Sequence, residues 1–244
     1  LPNVDDGAKD AEESLALLRM SYEQGIRCII ATPHFDANEE NIESFKEATE
    51  EAYRKVIGVS KGEKIPEIYL GAEVYYFRNI GRSSGIKELT LGKSSYILLE
   101  LPLCTIDSQI LKDISEINRL QGLVPIIAHI ERYSKMKGYK KLLKLVSAGT
   151  CLAQINASSV LFEGYQKIAC KLLKKGYVSF IASDTHSVDH RPPLVKSAME
   201  AVENVFDKYA VRKIESAGEY VYYAITGKMA EIKCANTLEE PDFN

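Results

Sequence analysis

The segment Val124-Pro-Ile-Ile-Ala-His-Ile-Glu-Arg132 decides how this chain is read. An apolar run without alternation leads straight into a histidine. Short runs of this kind read as strands buried on both faces, the habit of parallel sheets. Beside the Val124–Ala128 run stand five more: Cys28–Thr32, Glu67–Gly71, Tyr96–Leu101, Cys151–Ile155 and Val178–Ala182. Amphipathic patterns lie between them. One predicted helix is capped by Asp10 and runs to about Gln24, with Glu13 as capping-box partner. Others cover Asn41–Ile57, Ser108–Leu120, Tyr139–Ala148 and Gly164–Lys175. Pro192 and Pro193 open a further helix to about Tyr209, and Ala217–Thr226 forms the last. Gly122, Gly149 and Gly176 stand where helices should stop. Strands alternating with helices imply parallel βαβ units.

Length agrees. The chain has 244 residues and no Pro/Gly-rich linker or repeat. One α/β barrel of roughly 250 residues accommodates it, so residues 1–244 read as one domain. The 31 basic residues balance 34 acidic ones, which argues against a nucleic-acid binder. No apolar run approaches the ~20 residues that cross a bilayer, and no signal-peptide pattern is present. Five cysteines without a CxxC spacing suggest reduced thiols in a cytoplasmic protein.

In a parallel α/β barrel the chemistry sits at the C-terminal strand ends. Here those ends carry His34, Glu73, Glu100, His129, Asn156 and Asp184, with His186 two residues on and Asp5-Asp6-Gly7 ahead of the first helix. Taken singly, each has a bland reading: a hydrogen-bonded rim histidine, a solvated glutamate, a turn. Jointly they place three of the four histidines at one end of successive strands. Asp184-Thr-His186 leaves its strand with side chains i and i+2 on one side.

Imidazoles and carboxylates without thiolates suit Mn²⁺, Fe²⁺, Zn²⁺ or Mg²⁺. Paired cations about 3.5–4 Å apart are typical of phosphatases and nucleases. Arg132 and Arg191 follow the ligand segments, and a guanidinium fork matches phosphate. Their structural alternative is pairing with Glu131 or Asp189. A thiolate phosphatase would need Cys-x5-Arg. The residues six after Cys28, Cys104, Cys151, Cys170 and Cys234 are His34, Ile110, Ala157, Gly176 and Glu240, which excludes it. No Walker-type loop occurs. Lys135, Lys137, Lys140, Lys141 and Lys144 form either a steering patch for an acidic substrate or a solvated basic helix.

These residues resemble the PHP (polymerase and histidinol phosphatase) superfamily, and within it the CpsB/YwqE-type tyrosine-protein phosphatases of capsule and exopolysaccharide systems. The resemblance is carried by Asn3-Val-Asp-Asp-Gly-Ala8, Ile30-Ala-Thr-Pro-His34, Gly71-Ala-Glu-Val-Tyr-Tyr76, Ile97-Leu-Leu-Glu100, Pro125–Arg132, Ile181–His186 and Arg191-Pro-Pro193. It implies a distorted (β/α)7 TIM-like barrel and two or three divalent metals, manganese first. Asp6, His34 and His186 would hold one metal, and Glu73, Glu100 and His129 a second. Glu73 and Asp184 would share in a third, and Arg132 and Arg191 would bind substrate phosphate. The family opens with a strand ending in His-x-His just before the equivalent of Leu1-Pro2. The expectation is that those residues, including a barrel strand, are lost from this chain, which starts at Leu1 without a Met. The substrate implied is the phosphorylated cytoplasmic tail of a bacterial tyrosine kinase. The alternatives are a small-molecule phosphatase of the histidinol-phosphate kind and a metal-poor, non-catalytic binding module.

Overall fold

A computed structural model describes residues 1–206 and 208–228, so Cys234 and Glu240 lie outside the described residues. The strands are β1 (Cys28–Ala31), β2 (His34–Phe35), β3 (Glu67–Leu70), β4 (Glu73–Tyr75), β5 (Tyr96–Glu100), β6 (Val124–Ile127), β7 (Leu152–Asn156) and β8 (Phe180–Ala182). The α-helices are α1 (Ala11–Glu23), α2 (Ile42–Val59), α3 (Ser108–Gln121), α4 (Tyr139–Ser147), α5 (Ala157–Leu161), α6 (Gln166–Lys174), α7 (Val195–Val205) and α8 (Lys208–Thr226).

All pairing between these strands is parallel. Six of them form one curled sheet in the order β2-β4-β5-β6-β7-β8, and β1 pairs with β3 separately. Two of the expected strands are thus broken in the middle. The break after β1 falls at Thr32-Pro33, where proline supplies no N–H to the ladder. The break after β3 falls at Gly71, where an added Cβ would lie 2.9 Å from Leu91 Cδ2. The sheet can bend there because backbone and Leu91 approach closely. Among the described residues β2 and β8 end the order, so the fold is a mixed α/β one with a curled parallel half-barrel.

The curl divides the apolar residues into two sets. On the convex side Val74, Ile97, Leu99, Ile127, Ile155 and Ile181 pack with Ile114, Ile117, Leu142 and Val202 of the helices. On the concave side a smaller cluster of Leu91, Leu98, Ile126 and Ala128, joined by Ile30 and Phe180, fills the floor. Strand alternation sorts the side chains: Leu99 faces the helices, and its neighbours Leu98 and Glu100 face inward. Fully burying a side chain such as Leu99 contributes about 2 kcal/mol.

Helix ends follow local chemistry. Asp10 caps α1 by accepting from Glu13 N at 2.7 Å, and Asn41 caps α2 through Ser44 N at 2.9 Å. Gly122, Gly149 and Gly176 take φ of 69°, 70° and 69° just past their helices. Boundaries differ from expectation at the C-terminal end. α7 begins at Val195 and stops at Val205, and α8 starts at Lys208, not at Ala217. The stretch Ile80–Lys93 contains three short 3-10 segments where periodicity gave no signal.

Candidate metal centre

The mouth of the curl is built from strand ends. β6 delivers His129 and β8 leads to Asp184, both in left-handed backbone with φ of 31° and 50°. Such conformations cost about 1–3 kcal/mol each in a non-glycine residue and persist only where the surroundings impose them. At His129 those surroundings are visible. Its carbonyl accepts from Arg132 N at 2.9 Å as the chain enters a 3-10 turn. Its Nδ1 lies 3.4 Å from the hydroxyl of Tyr133, which is fully buried and accepts from Leu101 N at 2.9 Å. The turn after β6 therefore fixes the ring from behind.

His129 Nε2 is 3.0 Å from Glu73 Oε1 and 3.3 Å from Glu100 Oε1. Burial by itself would lower the pKa of His129, but the two carboxylates outweigh it and raise it to about 9. Glu100 is held below the usual carboxylate range: burial opposes this, and His129, His34 and Arg132 overcome it.

The other half of the mouth is looser. His186 Nε2 is 3.3 Å and His34 Nε2 is 3.6 Å from Asp6 Oδ1. His34 Nδ1 lies 3.9 Å from Glu100 Oε2, linking the two halves. Asp6 is 66% exposed at its side chain, whereas His129 is 2% exposed. Asp184 collects cations. Its Oδ2 accepts from Arg132 Nη2 at 2.8 Å, Arg191 Nη2 at 2.5 Å and Asn156 Nδ2 at 2.5 Å. Burial pushes its pKa up, but Arg191 and Arg132 prevail and hold it below the ordinary value. The two arginines thus meet on one carboxylate, and neither pairs with Glu131 or Asp189.

All seven sequence candidates converge: Asp6, His34, Glu73, Glu100, His129, Asp184 and His186. Asp6, His34 and His186 offer ligand atoms within 4.8 Å of one another, and so do His34, Glu73 and Glu100. A neutral imidazole has one lone pair for a cation, so His34 can serve only one of these sets. His129, against Glu73 and Glu100, can complete the other. Oxygen and imidazole donors without thiolate fit a hard or borderline divalent cation. Burial pushes the Cys28 thiol up to about 11 and the Cys151 thiol up to about 12, which sets these two apart from this chemistry.

Three acids expected in other roles position the site. Asp5 accepts from Gly7 N through Oδ1 and from His34 N through Oδ2, both at 3.0 Å, and so anchors the segment bearing Asp6 onto β2. The acidic pair before Gly7 was its signal. Glu13 accepts from Lys9 N at 2.9 Å instead of closing on Asp10 N, and its second oxygen accepts from Val188 N at 3.2 Å. The helix cap thereby tethers the loop between His186 and Arg191. Glu131 is fully buried and accepts from Asn156 N at 3.0 Å and Ser159 Oγ at 2.7 Å. The sequence offered Glu131 as a partner for Arg132, which pairs with Asp184 instead.

Comparison with known proteins gives the family and the fold. The family model for capsular polysaccharide synthesis, CpsB/CapC, matches residues 1–219. Tyrosine-protein phosphatase CpsB of Streptococcus pneumoniae is 34% identical over 226 residues, covering 86% of this chain and 88% of that protein. CpsB of Streptococcus agalactiae serotype III is 32% identical over 221 residues, covering 84% and 88%. A solved structure from work on YwqE of Bacillus subtilis and CpsB of Streptococcus pneumoniae, described as unique metal-dependent tyrosine phosphatases, superposes with a TM-score of 0.77. That likeness is at 23% identity and covers 94% of this chain and 92% of the other, and it establishes the fold.

Proposed function

Because the chain belongs to the CpsB/CapC family of capsular polysaccharide synthesis, we propose that it is a metal-dependent protein-tyrosine phosphatase. The observation that carries the reading is the meeting of Arg132 and Arg191 on Asp184, beside two imidazole-carboxylate clusters. The clusters supply cation sites and the arginines supply an anion site, which together suit a phosphate monoester.

Asp6, His34 and His186 would hold one cation, and Glu73, Glu100 and His129 a second. Glu73 and Asp184 would share in a third where one binds. Manganese is the first assignment, with iron, zinc and magnesium behind it. Bound divalent ions would lower the pKa of a water and stabilise charge on the phosphoryl oxygens. The chain's own residues do the rest. Arg132 and Arg191 hold equatorial phosphate oxygens in their forks and fix the phosphorus for in-line displacement. Tyrosine leaves as a phenolate, whose conjugate acid has a pKa of about 10, so little proton assistance is required. That agrees with a mouth without a dedicated general acid. His34 or His186 can donate a proton when not engaged by a cation.

The substrate assigned is the phosphorylated tail of a bacterial tyrosine kinase governing capsule or exopolysaccharide synthesis, met in the cytoplasm. Lys135, Lys137, Lys140, Lys141 and Lys144 are exposed in the stretch that follows Arg132 and make no ion pair among the described residues, which supports steering of an acidic tail. No helix among the described residues is long and apolar enough to cross a membrane. The curl of the sheet supports extension to the distorted (β/α)7 barrel.

The test is hydrolysis of a phosphotyrosine peptide against histidinol phosphate and a phosphoserine peptide, with Mn²⁺ supplied. The reading expects the aryl ester to be cleaved fastest and Asp184→Ala to abolish turnover. Faster cleavage of the alkyl esters overturns it in favour of a small-molecule phosphatase. No turnover of any of these esters by the full-length protein favours a binding module.

A further inference from the structure

Tyr75 and Tyr76 are adjacent and have opposite fates. Tyr76 turns to the helix side, packs against the main core and donates its hydroxyl to Asp113 Oδ2 at 2.7 Å. Tyr75 points the other way. Val74 belongs to the convex core, so Glu73 and Tyr75, its neighbours in β4, share the concave face. Register places Tyr75 opposite Glu100 of β5, and Tyr76 N donates to Glu100 O at 2.8 Å, so the two strand ends stay together. Tyr75 thus stands one layer nearer the mouth than Glu73. Its phenol lies within electrostatic reach of Glu100, Asp36 and Cys104. It is partly exposed, and its hydroxyl has no hydrogen bond among the described residues.

The loop after β5 continues this surface. Leu103 is 66% exposed and adjoins Cys104, which lies within electrostatic reach of Tyr75. The loop is nonetheless anchored: Cys104 N donates to Pro102 O at 2.7 Å and Ile106 N to Lys137 O at 2.8 Å. An aromatic ring paired with Glu100 and an exposed leucine in the loop that follows Glu100 therefore stand at this strand end. In the same mouth Arg132, which bears electrostatically on Glu100, and Arg191 meet on Asp184. A phosphate held by the arginines would direct its ester group outward, and an apolar ester group needs apolar cover.

We propose that Tyr75, backed by Leu103, receives the phenyl ring of the substrate ester and makes this mouth selective for aryl over alkyl phosphates. The inference rests on the phosphatase reading above, naming the group beyond the phosphorus. Ring-on-ring contact adds to area burial, so a selectivity of about five- to tenfold is expected from one residue.

The experiment measures binding of phenylphosphonate and methylphosphonate to the Mn²⁺-supplied chain by calorimetry, in wild type, Tyr75→Ala and Tyr75→Phe. These probes are not hydrolysed, so the result does not depend on turnover. The wild type should prefer phenylphosphonate, Tyr75→Ala should erase most of that preference by weakening the aryl probe alone, and Tyr75→Phe should keep it. Leu103→Ser should reduce it less than Tyr75→Ala. Equal affinity for both probes in the wild type, an undiminished preference in Tyr75→Ala, or equal weakening of both probes overturns the inference. Loss in Tyr75→Phe would also overturn it, by assigning the role to the hydroxyl. Failure of the wild type to hydrolyse phosphotyrosine while it still prefers the aryl probe overturns the phosphatase reading and, with it, the substrate role, leaving Tyr75 as an aryl-binding residue only.

Discussion

The two halves of the mouth use similar residues in different settings. In the inner half, His129 just past β6 and Glu73 at the start of β4 are buried, 3.0 Å apart, with Tyr133 packed behind the ring. In the outer half, Asp6 and His186 come from loops, and Asp6 is largely exposed. The inner half is pre-organised by the sheet, and burial strengthens every charge interaction within it. The outer half depends on tethers, chiefly Asp5 to His34 N and Glu13 to Val188 N. The difference teaches that a strand end holds a ligand through its fold, whereas a loop holds one through second-layer hydrogen bonds.

The largest effect that would break this contrast is the loss of a single ligand from each half. His129→Ala should bring phosphotyrosine hydrolysis to background, whereas Asp6→Ala should leave measurable turnover when Mn²⁺ is raised. Equal losses in the two variants would dissolve the distinction. Next is the tether. Asp5→Ala removes two backbone contacts at once and should weaken Mn²⁺ binding or activity by about 10- to 100-fold. The same change at an exposed acid such as Glu47 should do nothing, and calorimetric metal titration reads both.

A smaller effect concerns pH. The folded pKa of His129, about 9, lies above the ~6.5 of an unfolded histidine. Its contribution to the stability of the metal-free chain is therefore fully present below pH ~6.5 and is lost as pH rises through about 9. Thermal midpoints of the metal-free protein should fall across that window, and His129→Gln should flatten the fall. Asp184 has the opposite sign. Its pKa is lowered, so its contribution is present above the ordinary carboxylate range and is lost on acidification. The smallest effect belongs to the lysines outside both halves. Lys140→Glu with Lys141→Glu should slow capture of an acidic phosphopeptide a few-fold at low ionic strength and not at high salt, measured as kcat/KM.

Much of this was legible in the chain. The unalternating runs marked β5, β6, β7 and β8 because strands covered on both faces admit few polar residues. The strand-end rule then picked out His34, Glu73, Glu100, His129, Asp184 and His186. β2 and β4 were not separable, since Pro33 and Gly71 read as turns and only the bent sheet shows that pairing resumes beyond them. α5, five residues long, was invisible for lack of a full amphipathic period. Glu131 read as a candidate partner of Arg132, because its actual partners, Ser159 and Asn156, lie far away in sequence.

The sequence by itself determined which residues can bind cations and phosphate, and that they lie at one end of parallel strands. Residue type and strand period are local properties, so they can be read without coordinates. Only the tertiary structure decided the division of labour. Curling the sheet put His129 against Glu73 and Glu100, brought both arginines onto Asp184, and turned Tyr75 inward while Tyr76 turned out. Those outcomes depend on register between strands and on which face the helices cover, and both are fixed by contacts between residues far apart in the chain.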